Sequence, residues 1–559
     1  MEQRVILTPP TKKCWPSLNP TSPHRCQPAC GSWVSALPLL LALCAATPPA
    51  LAQNGAIANA EPVILRFEIA RYLVEGATLL TTEEISSAVA PYTGKSKDFS
   101  DVQRALEAVE NLYARHGYSA VRVSLPEQEL ELGTVRLRVV ESRFGKVAVK
   151  NNQHFSVANA LRALPSINPG DIPGSKRIAR ELRLANENPA RQMNVVLKAG
   201  EKDDEVDANV IVTDSAPGAW TLSADNTGST ETGRTRLGLA YRHANLFDRD
   251  HVGSAQFQTS PQYPNRVTVL GGSYKIPLYG MGDSVEFFGG YSNVNSVVGG
   301  LSNFQGGGTL FSARYNRPLD RIGSFEPRLS LGLDWRDFKR IEQTSPPPAV
   351  VIYNEIVAMP ASLALSAQGK FARSDLGLNA ALSANIPGAN KGGTADFAAY
   401  DPLGALRPDA HYRVLRYGAN YAQQIAESWQ VRALLTGQWS RNILLLGEQF
   451  RLGGADGVRG FSEGAESGER GLRWSVEGYT PELGSVENSV RALAFFDAGQ
   501  AMSRGQDKSF ISSSGFGLRA NFGGTWALRM DVAWIINAGA DPLQQVGDWR
   551  GHVALSAGF

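Results

Sequence analysis

Beyond residue 52 this 559-residue chain contains no cysteine. That absence excludes disulfides, thiolate metal sites and a cysteine nucleophile together. The same stretch has no run of eighteen apolar residues, so it offers no transmembrane helix, and any membrane span must be a closed barrel of strands. Seven histidines, at 24, 116, 154, 243, 251, 411 and 552, show no metal-ligand spacing. His116 ends a helix before Gly117, and His243 and His251 flank a turn, so capping and loop roles account for them. No motif announces the Ser, His and orienting partner of a hydrolase. The glycine run 306–308 lacks the lysine of a phosphate loop. Enzymatic activity, a metal and a cofactor are therefore not expected.

What is present begins with a segment of separate character. All four cysteines, Cys14, Cys26, Cys30 and Cys44, lie in the first 52 residues, with Arg4, Lys12, Lys13 and Arg25 and one acid, Glu2. Ser35 to Ala46 is an apolar core of signal-peptide length, and Ala50-Leu51-Ala52 is a small-x-small cleavage signal. The expectation is a signal peptide over 1–52 with a long basic region, then a short segment, 53–61; a membrane anchor is the competing reading, against which the apolar run is too short to span a bilayer. Without residues 1–52 the formal charge falls from +2 to −1, which leaves no basic footprint for nucleic acid.

The C-terminal part alternates with a period of two. Trp526, Leu528, Met530, Val532 and Trp534 interleave with Ala527, Arg529, Asp531 and Ala533. Phe516, Leu518, Ala520 and Phe522 stand against Gly517, Arg519 and Asn521, and Leu237, Leu239 and Tyr241 against Arg236, Gly238 and Arg242. The chain ends Val553, Leu555, Ala557, Phe559. One apolar face and one of Gly, Arg and Asn fit a barrel with lipid outside and a wet lumen. Residues 215–559 are assigned to it, with room for on the order of sixteen antiparallel strands.

Residues 62–214 mix strands with amphipathic helices. Thr82 to Val89 and Asp101 to Arg115 read as helices, the latter closed by Gly117, between strands at Arg66 to Leu73, Ser119 to Leu125 and Thr134 to Val140. The pattern recurs with a strand near Gly145 to Val149, helices at Ser156 to Leu164 and Ser175 to Ala185, and strands at Met193 to Lys198 and Val206 to Thr213. Two α/β modules, 62–141 and 142–214, are expected. Asp214 to Gly218 is a hinge too short for free domain motion.

The region from Glu448 to Glu477 carries one arginine in a glycine frame: Gly453-Gly454, then Val458-Arg459-Gly460-Phe461. Further on stands Phe495-Phe496-Asp497-Ala498-Gly499. A guanidinium can grip a carboxylate bidentately, which a lysine cannot reproduce. The residues alone also allow Arg459 as a solvated loop arginine and Asp497 as a strand-end turn residue.

With these motifs in order, the chain resembles the two-partner secretion transporters, the haemolysin secretion/activation and filamentous-haemagglutinin transporter family. The modules resemble POTRA domains, with Gly117-Tyr118, Ala120, Val123, Pro126-Glu127-Gln128, Gly133, Val139 and Glu141 matching the first-module pattern. Asp225-Asn226-Thr227-Gly228 with Thr232-Gly233 resembles the opening barrel strand. Val458 to Phe461 resembles the loop that folds into the barrel around 448–477, and Phe495, Asp497 and Gly499 the F-x-D-x-G wall motif. The resemblance implies an Arg459–Asp497 loop-to-wall pair. It also implies an outer-membrane location with the modules in the periplasm, and export of a large secreted exoprotein bearing an N-terminal secretion domain. Phe559 resembles the signal read by the barrel assembly machinery, which periplasmic chaperones serve. The rival readings are a barrel assembly factor, which shares the loop and wall motifs, and a passive porin.

Overall fold

The computed structural model describes residues 66–559 apart from 130–132, 231, 295–306, 344–349, 389, 427, 506 and 541–543, and before them only the dipeptide 6–7. The expected signal peptide, its cleavage site and segment 53–61 thus lie outside the described residues.

In the first module, helix Thr82–Val89 starts from a reciprocal cap: the Glu84 N–H donates to Thr81 Oγ1 at 3.3 Å, and the Thr81 N–H to Glu84 Oε2 at 3.0 Å. The second helix begins earlier than expected, at Phe99 and not Asp101, because Asp98 is the cap and Asp101 its reciprocal partner. It ends at Gly117, in the left-handed conformation that glycine adopts without strain. The expected first strand is two, Phe67–Ile69 and Arg71–Glu75, and an unexpected strand, Gly94–Lys97, pairs with the former. Strand Thr134–Glu141 lies between Arg71–Glu75, parallel to it, and Val121–Ser124, antiparallel. The helices bury Ile85, Val102, Val109 and Tyr113 against Val135, Leu137 and Val139.

Glu141 closes this module. Its carboxylate accepts from the Leu79 N–H at 2.9 Å, the Tyr113 hydroxyl at 2.8 Å, and both the N–H and the hydroxyl of Thr78. Burial favours the neutral acid, but these donors outweigh it and hold the carboxyl below its usual range. A group with a depressed folded pKa stabilises above its unfolded value and loses that contribution as pH falls through the folded one. Glu141→Gln is expected to lower module stability at neutral pH by about 1.5–3 kcal/mol, the worth of hydrogen bonds to a charged group. The gap to the parent should close below about pH 4. Hydrogen exchange over 78–89 in the full chain measures both; a gap that does not change with pH would contradict the assignment.

The second module has Arg191–Ala199 antiparallel to Glu205–Asp214, which runs parallel to Arg143–Lys150. Helices Val157–Arg162 and Ser175–Ala185 cover that sheet through Ala160, Leu164, Ile178 and Leu182. The segment Asp214 to Gly218 is tied down: the Asp214 carboxylate accepts from the N–H groups of Gln153, His154 and Phe155, and the Ser215 N–H donates to Ala190 O at 2.9 Å.

A buried clasp joins this module to the barrel. Arg191, 1% exposed, places Nη2 2.8 Å from Asp250 Oδ2 and Nη1 2.9 Å from Oδ1, and the Tyr279 hydroxyl donates to Asp250 at 2.6 Å. Asp250 sits in a turn where Phe247, Asp248 and Asp250 all have positive φ. Asn159 and Arg162 of the module donate to the Asp248 carbonyl and hold that turn.

Sixteen antiparallel strands close the barrel, the first, Gly218–Asp225, pairing with the last, Trp549–Gly558. One strand is interrupted at Met359, between Ile356–Ala358 and Pro360–Lys370. Closure leaves no unpaired edge in the lipid. The outward face is apolar and exposed, as at Phe516, Trp526, Val532 and Trp534, while the alternate Asp531 and Ala533 are buried inside. The Phe559 backbone pairs with Trp220 at the seam, at 2.7 and 3.1 Å, and its ring is exposed. At the end away from the modules, Phe397, Tyr400, Tyr412, Leu444 and Leu445 from two connections pack on Phe338 and Ile356.

Candidate functional site

Between strands Gln430–Trp439 and Arg470–Tyr479 the chain turns back into the lumen. A 3-10 turn, Leu446–Glu448, leads into a small hairpin, Phe450–Leu452 paired with Glu466–Gly468. Its tip carries Val458 to Phe461 to the inner wall. Gly460 is required there: its φ is +94°, an added Cβ would lie 3.2 Å from Ala533 Cβ, and its N–H donates to His552 Nε2 at 3.1 Å.

Arg459 is 3% exposed and meets three acids. Its Nε lies 2.7 Å from Asp497 Oδ2 and its Nη2 2.8 Å from Oδ1, a bidentate grip, and its own N–H donates to Oδ2 at 3.1 Å. Nη1 reaches Glu477 at 2.9 Å and Asp531 at 3.5 Å. Asp531 is shared with Arg519 and Arg529, at 2.9 and 3.0 Å. The guanidinium also lies over the Phe495 ring, 3.5 Å from its centroid.

The structure thus brings together the residues that the sequence singled out. Val458 and Phe461, both 0% exposed, pack with Leu452, Ile511 and Ile535 on either side of Arg459. Phe495 and Asp497 receive the guanidinium. Gly499 leaves space for the loop, since a Cβ there would stand 2.6 Å from Leu452 Cδ2. Gly499→Val is therefore expected to cost about 1–3 kcal/mol of barrel stability by overpacking. Truncating Leu452 in the same chain should recover part of it, as read from thermal unfolding in detergent; no recovery would place the cost elsewhere.

A second anchor holds the loop base. Glu448, 1% exposed, accepts from Arg336 Nη1 at 2.6 Å and Arg416 Nη2 at 2.9 Å. Arg336 is also 2.6 Å from Asp334, and Gln438 donates to the Glu448 carbonyl at 2.8 Å. The loop is clamped to the wall at both base and tip.

Sequence reasoning did not single out Asp531, Glu477 or His552 as partners of the tip, nor Arg336 and Arg416 as partners of Glu448. The available signal was parity: each sits on the polar face of an alternating strand and so points inward.

A closed barrel with an apolar outer face, a loop bound to its inner wall and an α/β module clasped at one end defines a membrane β-barrel with an occupied lumen. The family model of the haemolysin secretion/activation protein ShlB/FhaC/HecB matches residues 205–520, and that of the ShlB-type POTRA domain matches 67–142. The chain belongs to this haemolysin secretion/activation family, and is an outer-membrane transporter of the two-partner secretion class with POTRA domains in the periplasm. It is 21% identical over 484 residues to the heme/hemopexin transporter protein HuxB of Haemophilus influenzae, covering 81% of this chain and 80% of that protein. It is 24% identical over 464 residues to the outer membrane transporter CdiB of Dickeya dadantii, covering 78% and 76%. CdiB from Escherichia coli shares the fold at a TM-score of 0.73 and 19% identity, over 91% of this chain and 93% of that one. CdiB from Acinetobacter baumannii does so at 0.64 and 15%, over 88% and 90%.

Proposed function

We propose that this chain exports one large cognate exoprotein, an adhesin or a cytolysin, which crosses unfolded and folds outside as a β-helix. The periplasm supplies no nucleotide, so folding beyond the membrane, which removes the chain from the exchanging pool, biases its passage. The periplasmic modules offer strand edges such as Arg71–Glu75, unpaired on its outer side among the described residues, where an extended segment of the exoprotein's secretion domain can add a strand. The barrel conducts the chain once the loop carrying Arg459 leaves the wall. The observation that carries this reading is the loop itself: it lies in the path and is held by ion pairs as well as packing, so its contacts can be exchanged. The transporter reaches the membrane through periplasmic chaperones and the barrel assembly machinery, with Phe559 as the recognised end.

Deleting the gene in its host tests this. The expected result is loss of one large secreted protein with the outer-membrane profile intact. A general fall in outer-membrane proteins would instead indicate an assembly factor, and no change in either would indicate a porin.

A further inference from the structure

The second module meets the barrel rim on one side. Arg191 engages the turn at 247–250, Glu187 lies 2.6 Å from the inward-facing Lys275 and also contacts Arg328, and Arg180 and Arg183 reach Asp320 and the Leu319 carbonyl. These joints centre on the connection 279–282, between the fourth and fifth strands. Eight strands further round the sixteen-strand ring, diametrically across the mouth, is the connection 480–488.

The wall beside that connection carries Tyr479 between two arginines. Arg491 lies over its ring at 4.4 Å and Arg432 at 4.5 Å. Both point inward, Arg491 in step with Asp497 and Arg432 in step with Gln438. Arg491 is the under-satisfied member. Its Nε is buried with no hydrogen-bond partner, Nη2 donates to the Thr480 carbonyl at 3.2 Å, and Nη1 reaches Gln430 Oε1 only at 3.5 Å. Among the described residues no carboxylate lies within ion-pair distance of it. Its cross-strand neighbour is another cation, Arg519, whose charge Asp531 takes up at 2.9 Å. A half-buried guanidinium whose Nη atoms make only long hydrogen bonds, stacked on an aromatic ring beside the mouth, can receive an anion through those Nη atoms.

We infer that the mouth across from the second module is where the exported chain enters, and that Arg491, seconded by Arg432 and Tyr479, binds carboxylates of that chain as it passes. The partner is an extended polypeptide with acidic side chains. The inference rests on the export reading above. The site also stands next to the loop anchor, since the Tyr479 hydroxyl donates to Glu477 at 2.8 Å and Glu477 is an Arg459 partner.

The test uses the full chain in detergent and two labelled peptides, a Glu-Gly repeat and its Gln-Gly counterpart, with binding read by fluorescence anisotropy. The parent should prefer the acidic peptide, and Arg491→Gln should weaken its binding roughly tenfold, as for loss of one partly desolvated charge contact. Arg491→Lys, which keeps the charge but loses the planar fork and its stacking on Tyr479, should bind between the parent and the glutamine variant. Arg441→Gln, an equal charge change at the opposite end of the barrel, should match the parent. Unchanged binding in Arg491→Gln overturns the inference, as does equal loss in the glutamine and lysine variants or in Arg441→Gln. Failure here with loss of a secreted protein in the deletion strain removes the port and leaves export standing; charge-selective binding with no lost protein removes export and the port with it, and leaves Arg491 as an acidic-peptide site of another kind.

Discussion

Arg459→Ala is expected to free the loop tip at a cost of about 3–5 kcal/mol, the range for breaking a buried ion pair by removing one partner. The cost falls on Asp497. Asp531 keeps Arg519 and Arg529, and Glu477 is nearer the mouth, but Asp497 is 0% exposed and, once the tip and its backbone N–H leave, would keep among the described residues a hydrogen bond from the Ser475 hydroxyl, at 2.6 Å. Hydrogen exchange over 450–468 should rise while the barrel strands stay protected. Reversing both charges, Arg459→Asp with Asp497→Arg, should restore part of the protection and of secretion. Full rescue is not expected, because Glu477 and Asp531 remain placed for a cation at the loop. No rescue at all would dissolve the pairing.

Glu448→Ala should have an effect of similar size on the other anchor, again about 3–5 kcal/mol, because it leaves two cations facing each other in a buried site. Asp334 partly neutralises Arg336 at 2.6 Å, whereas Arg416 would be left with Gln438 at 2.9 Å. Glu448→Gln keeps the shape and one acceptor and should cost less. The thermal midpoint of the purified barrel orders the three chains as parent, Gln, Ala; equal midpoints would mean the base of the loop is held by packing at Leu444 and Leu445 and not by charge.

Local chemistry was the legible part of this chain. The ranges Thr82 to Val89 and Ser175 to Ala185 emerged as read, because caps and apolar spacing lie within the helices themselves. The barrel was legible because lipid outside and water inside impose one alternation on every strand. Gly94–Lys97 was not: Gly-Lys-Ser-Lys has no apolar face, and only its pairing with Phe67–Ile69 makes it a strand. The first anchor was legible through motif resemblance. The second was not, because Arg336 and Arg416 reach Glu448 through strand register, a property of the closed sheet that no local window contains.

The central claim is that the loop must leave the wall for the exoprotein to pass. No cysteine follows residue 52, so an introduced pair would have no competitor within the barrel. An added Cβ at Gly499 would lie 3.4 Å from Leu452 Cγ, which makes Leu452→Cys with Gly499→Cys a suitable lock. The measurement is the amount of exoprotein in the medium and in the periplasm, with and without reductant, in a deletion strain carrying this variant. The account expects retention in the periplasm when the pair is oxidised and release on reduction. Export at the parental rate by the oxidised chain would contradict it.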